Sequence, residues 1–403
     1  MELSLKQKLF YALPVLFCFC LPFGSRILSV IIVVWTVLSL LNLDTADLKK
    51  GWRNKNALLM YAFFIVTLIS ALLSTNKNEG MFSIEIKLCC ILFPYLLFGF
   101  NYPVDILKRS IVSFVSGCFF ACLYLLGRSA LYAAKGQPEY FFYTLFSDLI
   151  HPSYFAMYLI LAITFIMLLY PKWYKGQQNI ISTSYFFAAV FAISVFLCSS
   201  KLGLISFFIC VPMVLLHKWQ ALNLKAITML AVALAVIIFV SAKLFPSPFS
   251  RLSSLTDFSF ANVDKTSSES TTVRILIWEQ ALGIIKHDFW LGAGVGDAND
   301  VLYSSYRQNG LTGAYEHKLN AHNQFLQTFI GLGVIGFVLL LLLTFGQLIK
   351  AILKKHFLLF LFSLLIVLNF MVESMLQTAA GILFFAFFFC LFNLVNEKEL
   401  SGE

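Results

Sequence analysis

Three residues in this sequence resist explanation as packing: His322, Arg274 and Lys201. His322 stands in "KLNAHNQFLQTFIGLGVIG", directly before an apolar run; Arg274 opens "VRILIWEQALGIIKHDFW" (Val273 to Trp290); and Lys201 interrupts "FLCSSKLGLISFF". A histidine, with an unperturbed pKa of about 6.5, takes or holds a proton near neutral pH. A guanidinium fork binds two oxygens of one anion at once, and a lysine adds a compact point charge. Each has a simpler explanation taken singly. Lys201 can snorkel from a tight turn, Arg274 can meet lipid phosphates from an interfacial helix, and His322, Asn323 or Asn320 can cap a helix. Together, three cation-capable groups with no acidic pair among them point to an anionic ligand. Cations for a leaving diphosphate and a histidine for an incoming hydroxyl are the parts of a transferase acting on a lipid-linked diphosphate donor.

Other polar residues are weighed the same way. Glu85 and Lys87 lie near the outer end of an apolar run and can pair with each other, and Glu373 sits in a short turn before the last run. His151 and Tyr154, in "HPSYFAMYL", stand at the outer end of a span, where helix capping competes with substrate contact. His317 and His322 are five residues apart, off the i, i+4 spacing of helical metal ligands, and acidic partners are few. Hydrogen bonding therefore fits better than a metal site, and no metal or cofactor is expected.

The elements that must hold these residues are membrane helices. The chain has 403 residues, 60% of them hydrophobic and only 12% charged, with a mean hydropathy of +0.85, far beyond what a soluble core requires. Apolar runs of about 15 to 24 residues match helices crossing a bilayer, and the alternation of an outer-membrane barrel is absent. The expectation is an all-α polytopic membrane protein of about 12 transmembrane helices. They centre near Leu16, Val34, Ile65, Phe93, Phe120, Ala162, Ala189, Phe207, Leu234, Leu340, Leu365 and Phe385. Pro14 and Pro22 shorten the first, which has no small-residue cleavage site after it and reads as a span, not a removable leader. The 44 phenylalanines suit lipid-facing and helix-packing surfaces, and all nine cysteines lie within apolar runs, where they act as small packing groups.

Lys6 and Lys8, the group from Lys49 to Lys55, Lys108 and Arg109, Lys172 and Lys175, Lys218 and Lys225, and Lys350 to Lys355 then fall on one side. The positive-inside rule makes that side cytoplasmic, with both termini there. The net charge of +9 is thus topological and does not imply nucleic acid. The expected organisation is residues 1–244 as spans one to nine, 245–321 as one large periplasmic loop containing short amphipathic helices, and 322–403 as spans ten to twelve with a tail. In the loop, "PSPFSRLSSLTDFSFANVDKTSSESTT" reads as irregular. Ile277, Ala281, Leu282 and Ile285 then give an amphipathic helix. "LGAGVGD" reads as a turn between two helices and only weakly as a phosphate cradle, with Asp297 able to cap the second helix.

Two of these segments also resemble a known family. "VRILIWEQALGIIKHDFWLGAGVGD" looks like the Arg-x-x-x-Trp helix and glycine-rich turn of the O-antigen ligase and polymerase superfamily, and "NAHNQFLQTFIGLGVIG" like its His-Asn and Gly-x-x-Gly segment. With the topology, the resemblance covers most of the chain. It implies that Arg274 corresponds to the loop arginine and His322 to the essential histidine. Lys201, in "SSKLG", falls where the family has an arginine, so the charge stays and the bidentate fork is lost. It further implies inverting, metal-independent glycosyl transfer at the periplasmic face of the bacterial inner membrane. An undecaprenyl-diphosphate-linked glycan enters from the membrane lipid, His322 receives the acceptor hydroxyl, and Lys201 and Arg274 stabilise the departing diphosphate. Asn323, Asn320, Trp278, His151 and Tyr154 are the expected substrate contacts. The acceptor is a lipid A-core sugar, the end of another lipid-linked glycan (a polymerase), or a protein serine. A transporter or flippase would instead carry inverted repeats and broken, charged helices at mid-membrane.

Overall fold

The computed structural model describes residues 5–41, 54–217, 265–266 and 271–394. In chain order the helices are α1 (Leu5–Cys20), α2 (Ser25–Leu41), α3 (Lys55–Leu73), α4 (Lys77–Lys87), α5 (Cys89–Phe98), α6 (Val104–Ala133), α7 (Pro152–Leu168) and α8 (Gln178–Leu197). They continue as α9 (Lys201–His217), α10 (Thr271–His287), α11 (Ala298–Gln308), α12 (Thr312–Glu316), α13 (Gln324–Leu353), α14 (Phe357–Phe370) and α15 (Ala379–Leu394). No strand occurs among the described residues. Helices satisfy their own backbone polar groups, which is the condition for crossing hydrocarbon.

Among the described residues, seven helical stretches are long and apolar enough to cross a membrane, and four shorter apolar helices accompany them. Together they account for eleven of the expected centres; the ninth, near Leu234, lies outside the described residues, as does the Ser-rich opening of the loop apart from Lys265, Thr266 and the two threonines that begin α10. The first span is not curtailed by its prolines. α1 runs through Pro14 and continues as a 3-10 turn over Leu21–Phe23, giving a 19-residue stretch. The described residues fall into two compact units, one of residues 5–35 and 102–217, the other of residues 36–41, 54–101, 265–266 and 271–394.

In the first unit, α7 is the centre: every one of its residues is buried, against α6, α8 and α9. A helix apolar all round is stable only when neighbours cover all its faces. At one end of α7, Ser153 and Ser200 share a 3.1 Å hydroxyl contact, and Gly203 of α9 lies so close to Ala156 that a Cβ there would meet it at 2.6 Å. At the other end, the Lys108 ammonium stands over the Trp173 ring.

In the second unit, α3 packs on α4, α5 and α13, α15 on α5, and α14 on α13. Lys350 at the far end of α13 reaches Asn56 and Asn393, so the basic ends of α3 and α13 coincide. At the opposite end the loop helices form a small core of their own, from Val273, Ile277, Ala281, Ile285, Leu302, Tyr306 and Ala314. Leu282, expected on the buried stripe of α10, is 51% exposed instead. The i, i+4 row through Val273, Ile277, Ala281 and Ile285 is the inward face, and Leu282 lies off it.

The turn between α10 and α11 clasps the bundle. α13 is broken at Gly333 (φ +62°), and into that break fit Phe289 to Ala293. Ala293 N–H donates to Ile330 O at 2.7 Å, and Val334 N–H to Phe289 O at 2.9 Å. A Cβ on Gly292 would lie 2.5 Å from Gly333 N, and one on Gly333 only 2.3 Å from Trp290 O. Beyond the clasp, Val295 and Gly296 amides donate to the Ser70 and Ser74 hydroxyls at 3.0 Å each. Asp297 was expected to cap α11, but it makes no side-chain cap there. Its carboxylate accepts the Thr75 and Asn76 amides at 2.7 Å each, two donors at the start of α4. Local spacing pointed to the nearer helix; the tertiary partner supplies two unpaired amides and wins.

The clasp predicts a sharp contrast between glycines. Gly333→Ala lowers the melting temperature of detergent-solubilised protein, with a loss of about 2–3 kcal/mol from strain and displaced backbone. Gly283→Ala, with nothing within 4 Å of its Cβ position, leaves stability unchanged or raises it by up to about 1 kcal/mol.

Candidate functional site

Arg274 lies in the first turn of α10 and His322 immediately before the N-cap of α13, and the second unit brings them together about a third residue, Glu373. Arg274 Nη2 is 3.6 Å from Glu373 Oε1, and His322 Nδ1 is 3.6 Å from Glu373 Oε2. The Glu373 side chain is only 10% exposed, against 30% for Arg274 and 24% for His322. The expectation was of no acidic pair among the cation-capable groups; Glu373 lies against two of them. A half-buried arginine and a histidine need a counter-ion in an apolar setting, and the turn between α14 and α15 supplies it. The signal in the sequence was a lone acid in "MVESM" between two apolar runs on the same side as His322.

That turn is gripped at three points. Arg274 Nη1 donates to Val372 O at 3.2 Å, Asn323 Nδ2 to Met371 O at 3.1 Å, and Leu376 N–H to Gln324 Oε1 at 2.6 Å. Arg274 thus binds both the carboxylate and the backbone that presents it.

His322 is held as firmly. Its φ is +43°, a left-handed conformation that side-chain-bearing residues seldom adopt. Such a conformation costs on the order of 1–3 kcal/mol and persists only where surroundings fix it. Asn320 Oδ1 accepts the His322 amide at 2.9 Å. The neighbouring Ala321 peptide is fixed from both sides: its N–H donates to Gln327 Oε1 at 2.9 Å, and its carbonyl accepts Trp278 Nε1–H at 3.0 Å. Gln327 in turn donates to Asn299 of α11 at 3.0 Å. Asn323 caps α13, its Oδ1 accepting Leu326 N–H at 3.1 Å. The backbone turn aims the imidazole at Glu373, while Nε2 has no hydrogen-bond partner among the described residues.

Asn320, Asn323 and Trp278, expected as substrate contacts, are therefore placed as supports of the histidine backbone. Gln327, which the sequence reading passed over, completes that support, and Gln324 braces the Glu373 turn; two buried glutamines in the first turn of an otherwise apolar span were their trace. Below them, burial pushes the Tyr306 phenol above its ordinary range, so the loop core carries no phenolate near neutral pH. Glu85 and Lys87 do not pair. Two residues apart, they leave the helix on different faces: Glu85 is exposed, and Lys87 is 2% exposed with Nζ lacking a hydrogen-bond partner among the described residues. Among those residues no group of three His, Cys, Asp or Glu is placed to hold a metal ion.

Lys201, His151 and Tyr154 belong to the first unit, gathered at the end of α7 where Ser153 meets Ser200. Lys201 begins α9, one residue after the Ser200 hydroxyl that accepts the Gly203 amide. His151 is the N-cap of α7, its Nδ1 facing Ser153 N at 3.4 Å, with its ring 5.7 Å from that of the buried Tyr154.

No curated protein matches the chain. Residues 186–341 match the family described as O-antigen ligase, a segment that contains Lys201, Arg274 and His322, and runs from the middle of α8 into the middle of α13. That match supports a function of the O-antigen ligase or polymerase type in a multi-pass membrane protein. Both loop motifs lie inside the matched segment, which is similar to the O-antigen ligase family over those residues.

Proposed function

We propose that this protein is an inner-membrane glycosyltransferase that moves a glycan from undecaprenyl diphosphate to a hydroxyl of a lipid A-core sugar at the periplasmic face, without a metal and with inversion. The observation that carries the reading is His322, with Glu373 on its Nδ1 side and, among the described residues, no hydrogen-bond partner on Nε2. With the proton on Nδ1, facing the carboxylate, Nε2 is a base. The acceptor oxygen attacks the anomeric carbon as its proton passes to Nε2. The bond from that carbon to the diphosphate oxygen breaks, and its electron pair leaves with the diphosphate. Glu373, 3.6 Å from Nδ1, stabilises the imidazolium that forms. Arg274 keeps N–H donors beyond those on Glu373 and Val372 for the departing oxygens.

Placement relative to the membrane follows from charge. The basic end of the second unit, with Lys55, Lys350, Lys354 and Lys355, supports a cytoplasmic placement of that end by the positive-inside rule, and with it a periplasmic one for His322 at the other end of α13. Trp290 and Leu291, each 73% exposed beside the clasp, suit the headgroup level, where aromatic residues anchor and a lipid-linked donor would arrive.

His322→Ala abolishes transfer from a purified undecaprenyl-diphosphate glycan in the absence of added metal, while the protein is still inserted; retained transfer overturns the assignment. Glu373→Gln lowers kcat by about tenfold or more with little change in KM, since general-base assistance is worth roughly 10²–10⁴. Lys201→Arg keeps transfer and Lys201→Met loses it if a diphosphate is the partner of that charge. In cells, loss of the gene gives lipopolysaccharide without long glycan for a ligase, whereas a ladder collapsed to one repeat identifies a polymerase.

A further inference from the structure

Lys87 is a buried cation that the transfer chemistry does not use. It lies ten residues into the stretch Lys77–Phe98, one of the membrane-crossing helices. Its side chain is 2% exposed, and Nζ has no hydrogen-bond partner among the described residues. An ammonium so placed lowers stability, and an apolar side chain of its shape would pack there at less cost. Ionisable groups at such depth serve function far more often than folding.

What Lys87 borders is a cavity of about 10 Å³, room for a single water. Its lining includes Gln327, Thr328 and Gln377 among apolar neighbours such as Val295 and Leu332. These polar residues lead to both halves of the site. Gln327 Oε1 accepts the Ala321 amide and retains a second lone pair. Thr328 Oγ1 accepts Gln324 Nε2–H at 2.8 Å, and Gln324 Oε1 accepts the Leu376 amide, three residues beyond Glu373. One group in the cavity therefore touches the supports of the His322 loop and of the Glu373 turn together.

We propose that Lys87 is a positioning residue for the His322–Glu373 pair, its ammonium and one cavity water anchoring Gln327 and Thr328 and, through them, the Ala321 and Leu376 amides. This rests on His322 being the reactive group, so the test has a readout independent of transfer. In purified full-length protein, the rate at which diethyl pyrocarbonate modifies His322 is followed by peptide mass spectrometry, with the exposed His317 as internal reference. Lys87→Met raises that rate roughly tenfold relative to His317, Gln327→Leu does the same, and the double variant adds little beyond either, as expected for groups acting in one network. The melting temperature of Lys87→Met stays level or rises, and where transfer is measured kcat falls while KM holds. An unchanged His322 rate in Lys87→Met, full additivity in the double variant, or a lowered melting temperature overturns the proposal. A changed rate in a protein that transfers nothing even unmutated leaves the positioning role standing and sinks the transferase reading alone.

Discussion

Everything at the loop end of the second unit is arranged around one carboxylate. Glu373 is nearly buried, and a charge in that setting is tolerable only with opposite charge and directed donors nearby. Arg274 and His322 provide these from two different parts of the chain, and Arg274 at the same time holds the backbone carbonyl next to the acid. Three segments far apart in sequence are thereby brought into one place: the start of the loop helix, the approach to α13, and the turn between α14 and α15. Removing the acid would leave the Arg274 guanidinium without its counter-charge, so the balance is a condition of the packing as well as of any proton transfer.

A second constraint is geometric. The histidine must stand in a left-handed backbone conformation, which no local preference would choose. The strain is held by backbone-directed hydrogen bonds from Asn320, Gln327 and Trp278, while the loop that carries Trp278 is itself locked to α13 by two main-chain bonds at the glycine break. Rigid helices, a broken span and a tight loop act in series, and misplacement of any one is transmitted to the imidazole. A site built this way is preorganised: little remains to be arranged when substrates arrive.

How much of this was legible in the sequence follows from which forces are local. Spans were readable because hydropathy is a sum over about 20 neighbouring residues, and eleven expected centres fall inside apolar helices. Pro14 misled, since a proline is tolerated within a membrane helix when neighbours support the freed backbone. Arg274 and His322 were legible as ionisable groups flanking apolar runs. Glu373 was visible but unassigned, because the pairing spans about 100 residues on one side and about 50 on the other. Asp297 was assigned to the nearer helix for the same reason: sequence shows the helix start beside it, and only the fold shows the start of α4. Lys87 was given Glu85 as a partner on proximity alone, which helix geometry forbids.

The glycine clasp has a further consequence. It joins loop and span through main-chain atoms, and Asp297 likewise binds amides, not side chains. What holds the reactive frame is thus indifferent to the outward residues Glu279 and Lys286 of α10, which stand exposed. Those positions are free to change charge and shape without disturbing the frame. In such a design the outward face of α10 can diversify while the frame around His322 and Glu373 stays fixed.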